Sequence, residues 1–543
     1  MRNKFMIFLS VITVLALVLS GCSGSGSNSG NGGGDTNGST SGDAGGSGGK
    51  VKLTAIMVKH PLTKPLAQME WLKKAEDAAG VEIEWQEITA DWGQKKGTML
   101  ASGDIPDLFV GANVITDADF AQFSGLFQDL TELLPKAPNV QAMFEEKPET
   151  KVIATQPDGK IYGLPKYQRF WPASATRQYI NQKWLDNLGL KMPTTWDELY
   201  DVLVAFKEKD ANGNGDPNDE IPMDWPGGIG GYFNPAVLLG SEGITLTDGS
   251  GNGYFVEDGK VKNFLIDERY KNLVVFLNKL YKAGLINPEV FTHDYTKYQS
   301  VARGTGDTAK VGFTWGWVAS DRFGEQLAPQ YTSMSPLTVD STTKASWSYD
   351  YNSLNYGSNM VVMSAKTKNK EAAIRFINEL YNPKVSMQVL FGSIGPNIKD
   401  NGDGTYSVLP PSDPKMDPGT WKWTSTMADA GPMYIADSLN LKLGKDMQEV
   451  LTQSEPLKNA LEVDPKKDVF PGMFIKYTTQ DNNTMSLNNT NVMNLANTRF
   501  AKWVIKGGVE SEWDNYVKEN QKAGLEQNIE IMQKYYDDYM SKN

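Results

Sequence analysis

The chain has 543 residues, a net charge of −12, one cysteine and two histidines. The negative balance argues against a nucleic-acid partner, which would need a basic face. A single cysteine excludes an intramolecular disulfide. His60 and His293 lie in neither a GxSxG nor an HExxH context, which leaves hydrolase-triad and zinc readings little to build on.

The first residues read as a secretory leader. Arg2 and Lys4 precede an apolar run from Phe5 to Leu19 that is too short for a comfortable membrane span. Leu19-Ser20-Gly21-Cys22 then has the form of a lipobox, in which the cysteine thiol is acylated and becomes the new N-terminus. Residues 1–21 are therefore expected to be the signal peptide and Cys22 the lipidated residue. The Gly/Ser/Asn-rich stretch through Lys50 cannot bury a core and is expected to act as a flexible tether.

The rest is long enough for two or three domains. Val51–Val58 alternates as a strand, 65–80 has helical spacing, and Val81–Trp85 alternates again. A helix over 91–102 and a strand over 106–110 complete a β-α-β-α-β order, which predicts a parallel sheet with crossover helices. A short helix is expected at 127–134 and a hairpin edge at 159–165. Lys166-Tyr167-Gln168-Arg169-Phe170-Trp171-Pro172 has the composition of a chain crossing, and the first hinge is placed there.

A helix is predicted over Trp184, Leu185 and Leu188, stopped by Gly189. After Pro193, Thr195 and Glu198 have the spacing of a capping box for a helix bearing Leu199, Val202, Leu203 and Phe206. That helix runs into Asp210-Ala-Asn212-Gly-Asn214-Gly215-Asp216. Oxygen side chains at the first, third and fifth positions, with Gly215 at the sixth, make a cation-loop pattern resembling an EF-hand. The twelfth position is Ile221 rather than glutamate; the closing acids come early, at Asp219 and Glu220, and Ile221-Pro222 denies the loop an exit helix. The expectation is a structural Ca2+ held by the side chains of Asp210, Asn212, Asn214 and one or both of Asp219 and Glu220, and by the Asp216 carbonyl. The competing reading is an Asx-rich turn without an ion.

Further on, 267–283 reads as a helix, and Val311–Trp317 as a strand leading into a turn. Trp315 and Trp317 share a face if the strand continues. They fit a core or a cleft equally, with Gly312 and Gly316 leaving room for something to approach the backbone. The 338–356 stretch is polar and aromatic, with Trp347, Asp350 and Tyr351. A strand at 359–363 and a helix at 370–380 follow; Phe391–Pro396 is expected to cross between lobes, and Trp421 and Trp423 to sit in a loop. Closing helices are predicted over 494–506 and 510–542.

NQKWLDNLGLKMPTTWDEL, with LASGDIPDLFVG and DGKIYGLP upstream and the closing EWDNYVKENQKAGLEQNIEIMQKYYDDY, resembles the family 1 extracellular solute-binding lipoproteins of ABC sugar importers. Within that family it is similar to the large branch that includes alginate- and pectin-oligosaccharide binders. The resemblance implies a two-lobe α/β fold of the type II periplasmic-binding-protein kind. The expected division is 51–168 plus 338–385 in lobe 1 and 169–337 plus 386–543 in lobe 2.

It also implies a carbohydrate ligand, ABC permease subunits as partners, and a monomer anchored by lipid on the extracellular face of the cell membrane, in the Gram-positive manner. Candidate sugar-contacting residues are Trp171, Trp315, Trp317, Tyr167 and Arg169, with Trp92, Trp347, Asp350 and Tyr351 weaker. Arg169 and Arg177 have the chemistry to pair with a uronate, or with an ordinary acid of the protein. The alternative functions are a secreted glycoside hydrolase or lyase, which would need two positioned carboxylates or a base with a neutralising cation, and a surface protein stiffened by calcium.

Overall fold

The computed structural model describes residues 49–542, apart from 248–250, 305, 341, 414–415, 417 and 466. The expected leader, Cys22 and the expected tether as far as residue 48 lie outside the described residues.

The first sheet has five strands in the order Val81–Ile88, Val51–Val58, Leu108–Val110, Tyr356–Met363, Gly163–Tyr167. The first three are parallel, with Val51 opposite Val81 and Ala55 opposite Leu108. The Tyr356–Met363 strand runs antiparallel to both of its neighbours. Helices Glu70–Ala79 and Trp92–Ser102 make the crossovers that parallel pairing requires. The period-2 alternation divides this sheet between two cores. Ala55, Met57, Val361 and Met363 face one, and Ile56, Phe109 and Val362 the other. A bulge at Gly357–Val361 holds Asn359 at a φ of 51°. Gly163 allows this, because a β-carbon there would lie 2.5 Å from the Asn359 amide oxygen.

The second sheet has the order Tyr331–Ser333, Arg177–Asn181, Val311–Gly316, Ile221–Met223. Its two central strands are buried along their whole length, the mark of a sheet covered on both faces. Two of the covering helices are Trp196–Glu208 and Glu268–Lys282, whose apolar stripes enter the same core. Thr195 caps the first of these by accepting from the Glu198 N–H at 3.2 Å. The expected reciprocal bond is displaced by one residue: the Glu198 carboxylate accepts from the Thr194 N–H and hydroxyl.

Up to Leu461 the chain passes between the two bodies three times. It leaves the first sheet at Tyr167 and enters the second at Arg177. It returns between Tyr349, paired with Thr247, and Tyr356 in the first sheet. The last passage is the helix Lys445–Ser454 and the turn after it, with Met447 in the first core and Leu457 in the second.

The third passage departs from the expected one. Phe391–Pro396 is not a crossing, because Met387, Leu390, Ile398, Tyr406 and Met433 to Leu439 pack into the first body. There Ile398–Asp400, Thr405–Val408 and Asn440–Lys442 form a three-stranded sheet of their own. Trp347 belongs to the second core, so the 338–385 assignment also shifts. Phe127–Leu134 is not a helix: Phe127 bridges Ser364, and only Leu134–Lys136 makes a short turn. Pro418–Ser425, expected as a loop, is a helix, with proline at the end where its missing N–H costs nothing.

The closing helices are Thr479–Lys506, Val509–Lys522 and Leu525–Lys542. Just before them, Lys476 pairs with Asp117 at 2.6 Å and Phe474 packs on Tyr356, which ties this segment to the first body. Among the described residues no helix is long and apolar enough to cross a membrane.

Candidate functional site

All three passages border one cleft of about 650 Å³. It has an aromatic wall and a polar seat. Trp171, in the first passage, lies edge-on to Trp317 with ring centroids 5.8 Å apart. Trp423, on the Pro418–Ser425 helix, stacks on His60 at 4.5 Å. Lys422 lies between these aromatic groups, 4.5 Å from the Trp171 ring centre and 5.8 Å from that of Trp423. Each of the three tryptophans thus lines the cleft while another group fixes its plane, which suits stacking against a flat, partly apolar ligand.

The seat is Lys166, Gln168 and Asp429. Lys166 is almost wholly buried; its ammonium donates to the Asp429 carbonyl at 2.9 Å and lies 3.8 Å from the carboxylate. Gln168 donates to the Leu354 carbonyl at 2.7 Å and to Asp429 Oδ1 at 3.2 Å. Both partners are acceptors, which fixes the amide with its oxygen facing away from them. That oxygen is buried and has no partner within the protein. Lys422 approaches Asp429 Oδ2 at 3.6 Å. Burial opposes ionisation of Asp429, but Lys422 and Lys166 outweigh it and hold its carboxyl below the ordinary carboxylate range. Burial pushes the Lys166 ammonium down, and pushes His60 below its ordinary value as well. On the opposite wall Arg303 pairs with Asp321 at 3.3 Å.

Several sequence candidates lie elsewhere. Trp315 is fully buried, edge-on to Phe313 in the second core. The strand ends at Gly316, so Trp317 leaves the pleat and the shared-face argument stops between the two. The room at Gly312 is taken by Phe206, and that at Gly316 by Arg322 and Tyr179, not by a ligand. Trp347 is core, its indole N–H bonded to the Thr176 carbonyl at 2.8 Å. Asp350 is fully buried and accepts from the Ala175 N–H and the Ser348 hydroxyl at 2.8 and 2.9 Å, which fastens the first passage to the second.

Arg177 is similarly committed. It donates to the carbonyls of Ser174 and Trp317 and to the Ser454 hydroxyl, and so joins the first and last passages beneath the Trp317 ring. Burial pushes its guanidinium down to about 10. Tyr167 is buried against Tyr356, and Arg169 donates to the Leu439 carbonyl. Tyr351 is half-buried near Tyr356. Trp92 packs in the outer core of the first body, bonded to the Val114 carbonyl, away from the cleft.

The 210–220 loop is laced with side-chain-to-backbone hydrogen bonds that either reading of its sequence allows. The Asp210 carboxylate accepts from the N–H groups of Gly213, Asn214 and Gly215 at 2.8–3.0 Å. Asn212 Oδ1 accepts from the Asn214 N–H, and Asn214 Oδ1 from the Asp216 N–H. Both asparagine amides donate to Asp219. Gly215 sits at a φ of 91°, where a side chain would be strained. Glu220 is buried, and its Oε2 has no partner within the protein. Burial accordingly raises its carboxyl above the ordinary range. This oxygen-only donor set with an orphaned buried carboxylate oxygen fits a hard cation. Among the described residues no three His, Cys, Asp or Glu side chains gather as a metal cluster, and this loop relies on two asparagines.

Residues 62–387 match the model of the bacterial extracellular solute-binding protein family. The chain belongs to that family. A human-milk-oligosaccharide-binding, ABC-transporter-associated solute-binding protein from Bifidobacterium longum infantis superimposes with a TM-score of 0.84 at 34% identity, covering 91% of this chain and all of the other. The fructooligosaccharide ABC transporter substrate-binding protein FusA of Streptococcus pneumoniae is 28% identical over 497 residues, 87% of each chain. FusA in complex with kestose superimposes with a TM-score of 0.79 over 91% of this chain, and FusA has also been solved as an EF-hand mutant. The fold is thus the two-lobe, type II arrangement of solute-binding proteins.

Of the residues that line this solute-binding protein's cleft, Trp171 and Trp317 were legible in the sequence. His60, Lys166, Gln168, Trp423 and Asp429 are not distinguishable there as cleft residues. A Lys and a Gln flanking Tyr167 in the proposed hinge were the one local signal available for the seat.

Proposed function

We propose that this chain is the membrane-tethered substrate-binding protein of an ABC importer and captures an oligosaccharide between its two lobes. The observation that supports this most is the cleft itself: three tryptophans around a seat of fixed polar groups, where all three passages meet. Pyranose C–H faces stack on such rings, and hydroxyls bond to such groups. Closure of the lobes on the sugar would give the permease a distinct shape to recognise. Relatives that bind fructooligosaccharides and milk oligosaccharides support the same reading.

A polysaccharide-degrading enzyme fits less well. A general acid of that chemistry needs a raised pKa, whereas the cations around Asp429 lower its own. Acylated Cys22 would anchor the protein outside the cell, with the tether holding its body off the lipid.

The 210–220 loop would hold a structural Ca2+ through Asp210, Asn212, Asn214, Asp219 and Glu220 side chains and the Asp216 carbonyl. The ion's part would be to clip the end of the Trp196–Glu208 helix to the Ile221–Met223 strand. A thermal-shift screen of oligosaccharides, read beside reducing-sugar release, tests the functional reading. Stabilisation without release supports it, and release overturns it.

A further inference from the structure

We infer that the cleft selects an uncharged oligosaccharide, with Lys166, Gln168 and Asp429 reading the hydroxyls of one sugar ring. This rests on the carbohydrate reading above and narrows it to a chemical class. The ionic groups that line the cleft balance: Lys166, Lys422 and Arg303 against Asp429, Asp321 and Asp446. Each of the three cations also has a carboxylate within 4 Å. Asp429 takes both lysines, at 3.8 and 3.6 Å, and Arg303 takes Asp321 at 3.3 Å. Burial lowers the His60 pKa, which disfavours a charge on that ring. A uronate or sialate carboxylate would therefore meet no cation without an acid already beside it, and would bring a second anion toward Asp429 in a partly desolvated place.

Hydroxyls find the opposite situation. The Gln168 amide oxygen is a buried acceptor without a protein donor, and a sugar O–H would satisfy it. Asp429 keeps about a third of its side chain exposed, and its carboxylate has lone pairs beyond those that Gln168 and the lysines occupy. Lys166 has a third N–H beyond its contacts with Asp429 and can donate to a ring or hydroxyl oxygen. A donor and two acceptors held by buried neighbours suit adjacent hydroxyls, each of which both gives and takes a hydrogen bond. None of the three groups can move away without leaving a buried partner unpaired. Lys422, which lies against Trp171 and Trp423, joins this seat to the aromatic wall, so one ring can stack and bond at once.

The test is calorimetric titration of the mature protein with matched neutral and acidic probes. Lacto-N-tetraose is set against its sialylated form, galactotriose against trigalacturonate, and kestose is run alone. At least one neutral probe should bind, and its acidic counterpart should bind about tenfold more weakly or worse, or not at all. Asp429→Asn leaves both lysines uncompensated. It should weaken neutral binding and shift the acidic-to-neutral affinity ratio about tenfold toward the acidic probe.

Affinity of the unsubstituted protein for the neutral probe should change less than about twofold between low and high salt, since no charge is neutralised on binding. This arm needs no variant to fold. An acidic probe that binds as tightly as its neutral partner, or a steep salt dependence of neutral binding, overturns the inference and leaves the carbohydrate reading standing. Failure of every probe, neutral and acidic alike, counts against the carbohydrate reading itself.

Discussion

Trp315 and Trp317 are two residues apart and should respond to truncation in opposite ways. Trp315 is fully buried in the second core, edge-on to Phe313. Its replacement by alanine removes a large apolar group and leaves a cavity, a loss of ~3–5 kcal/mol. At ~2–4 °C per kcal/mol for a body of this size, the unfolding midpoint should fall by roughly 6–20 °C. Trp317 is half-buried in the cleft, edge-on to Trp171 and over Arg177. Its replacement forfeits the aromatic pair, ~0.5–1.5 kcal/mol, and a small further stability term. Affinity should suffer more. By analogy with bases stacked on aromatic rings, a sugar loses ~1–3 kcal/mol, or roughly 5- to 150-fold in binding. Differential scanning calorimetry and ligand titration on both variants separate the two effects. The reasoning is refuted if Trp317→Ala binds sugar as tightly as the unsubstituted protein, or if Trp315→Ala melts at an unchanged temperature.

Chelation should lower the melting temperature if the 210–220 loop holds Ca2+; at a hundredfold excess of ion over its dissociation constant the stabilisation is ~2.7 kcal/mol. Asp210→Ala should abolish that calcium-dependent shift, and a shift that persists in the variant would move the ion elsewhere. Cys22→Ala should release the protein from the membrane fraction, because the acyl chains supply the affinity; full membrane partitioning of the variant would refute the lipobox reading. The pH dependence follows from Asp429. Its carboxyl is held below the ordinary value of 3.8, so it stays ionised from neutral pH down through that value, and binding carried by the anion is lost only as pH falls through the lowered pKa. Neutral-sugar affinity should be flat from neutral to mildly acidic pH, and a titration-calorimetry series showing loss near pH ~6–7 would instead implicate a histidine.

What was legible in the sequence follows the range of the interactions. Val51–Val58 and the 370–380 helix sit where alternation and helical spacing put them, because their signals are local. The 387–447 segment is hard to assign from sequence because its small sheet is polar and turn-rich, and its docking on the first body depends on scattered residues such as Ile398, Tyr406 and Ile435. In the cleft, Trp171 was legible from the proline beside it, which argues against a buried strand.

Trp347 and Asp350 look like a binding cluster by composition. Both are bonded to the 174–176 stretch of the first passage, so the same residue types fasten two crossings together. The seat was illegible for a topological reason. Lys166 and Asp429 are separated in the chain by most of the second body and by the strand and helix that follow it, and only the return of the 387–447 segment brings them to 3.8 Å.

The central claim is that one cleft between the lobes binds carbohydrate through its aromatic wall. The most direct measurement is titration of a neutral oligosaccharide panel into the mature protein and into the folded double variant Trp171→Ala/Trp317→Ala. Saturable binding by the first and its loss or severe weakening in the second is the predicted result. Equal binding by both proteins would contradict the claim.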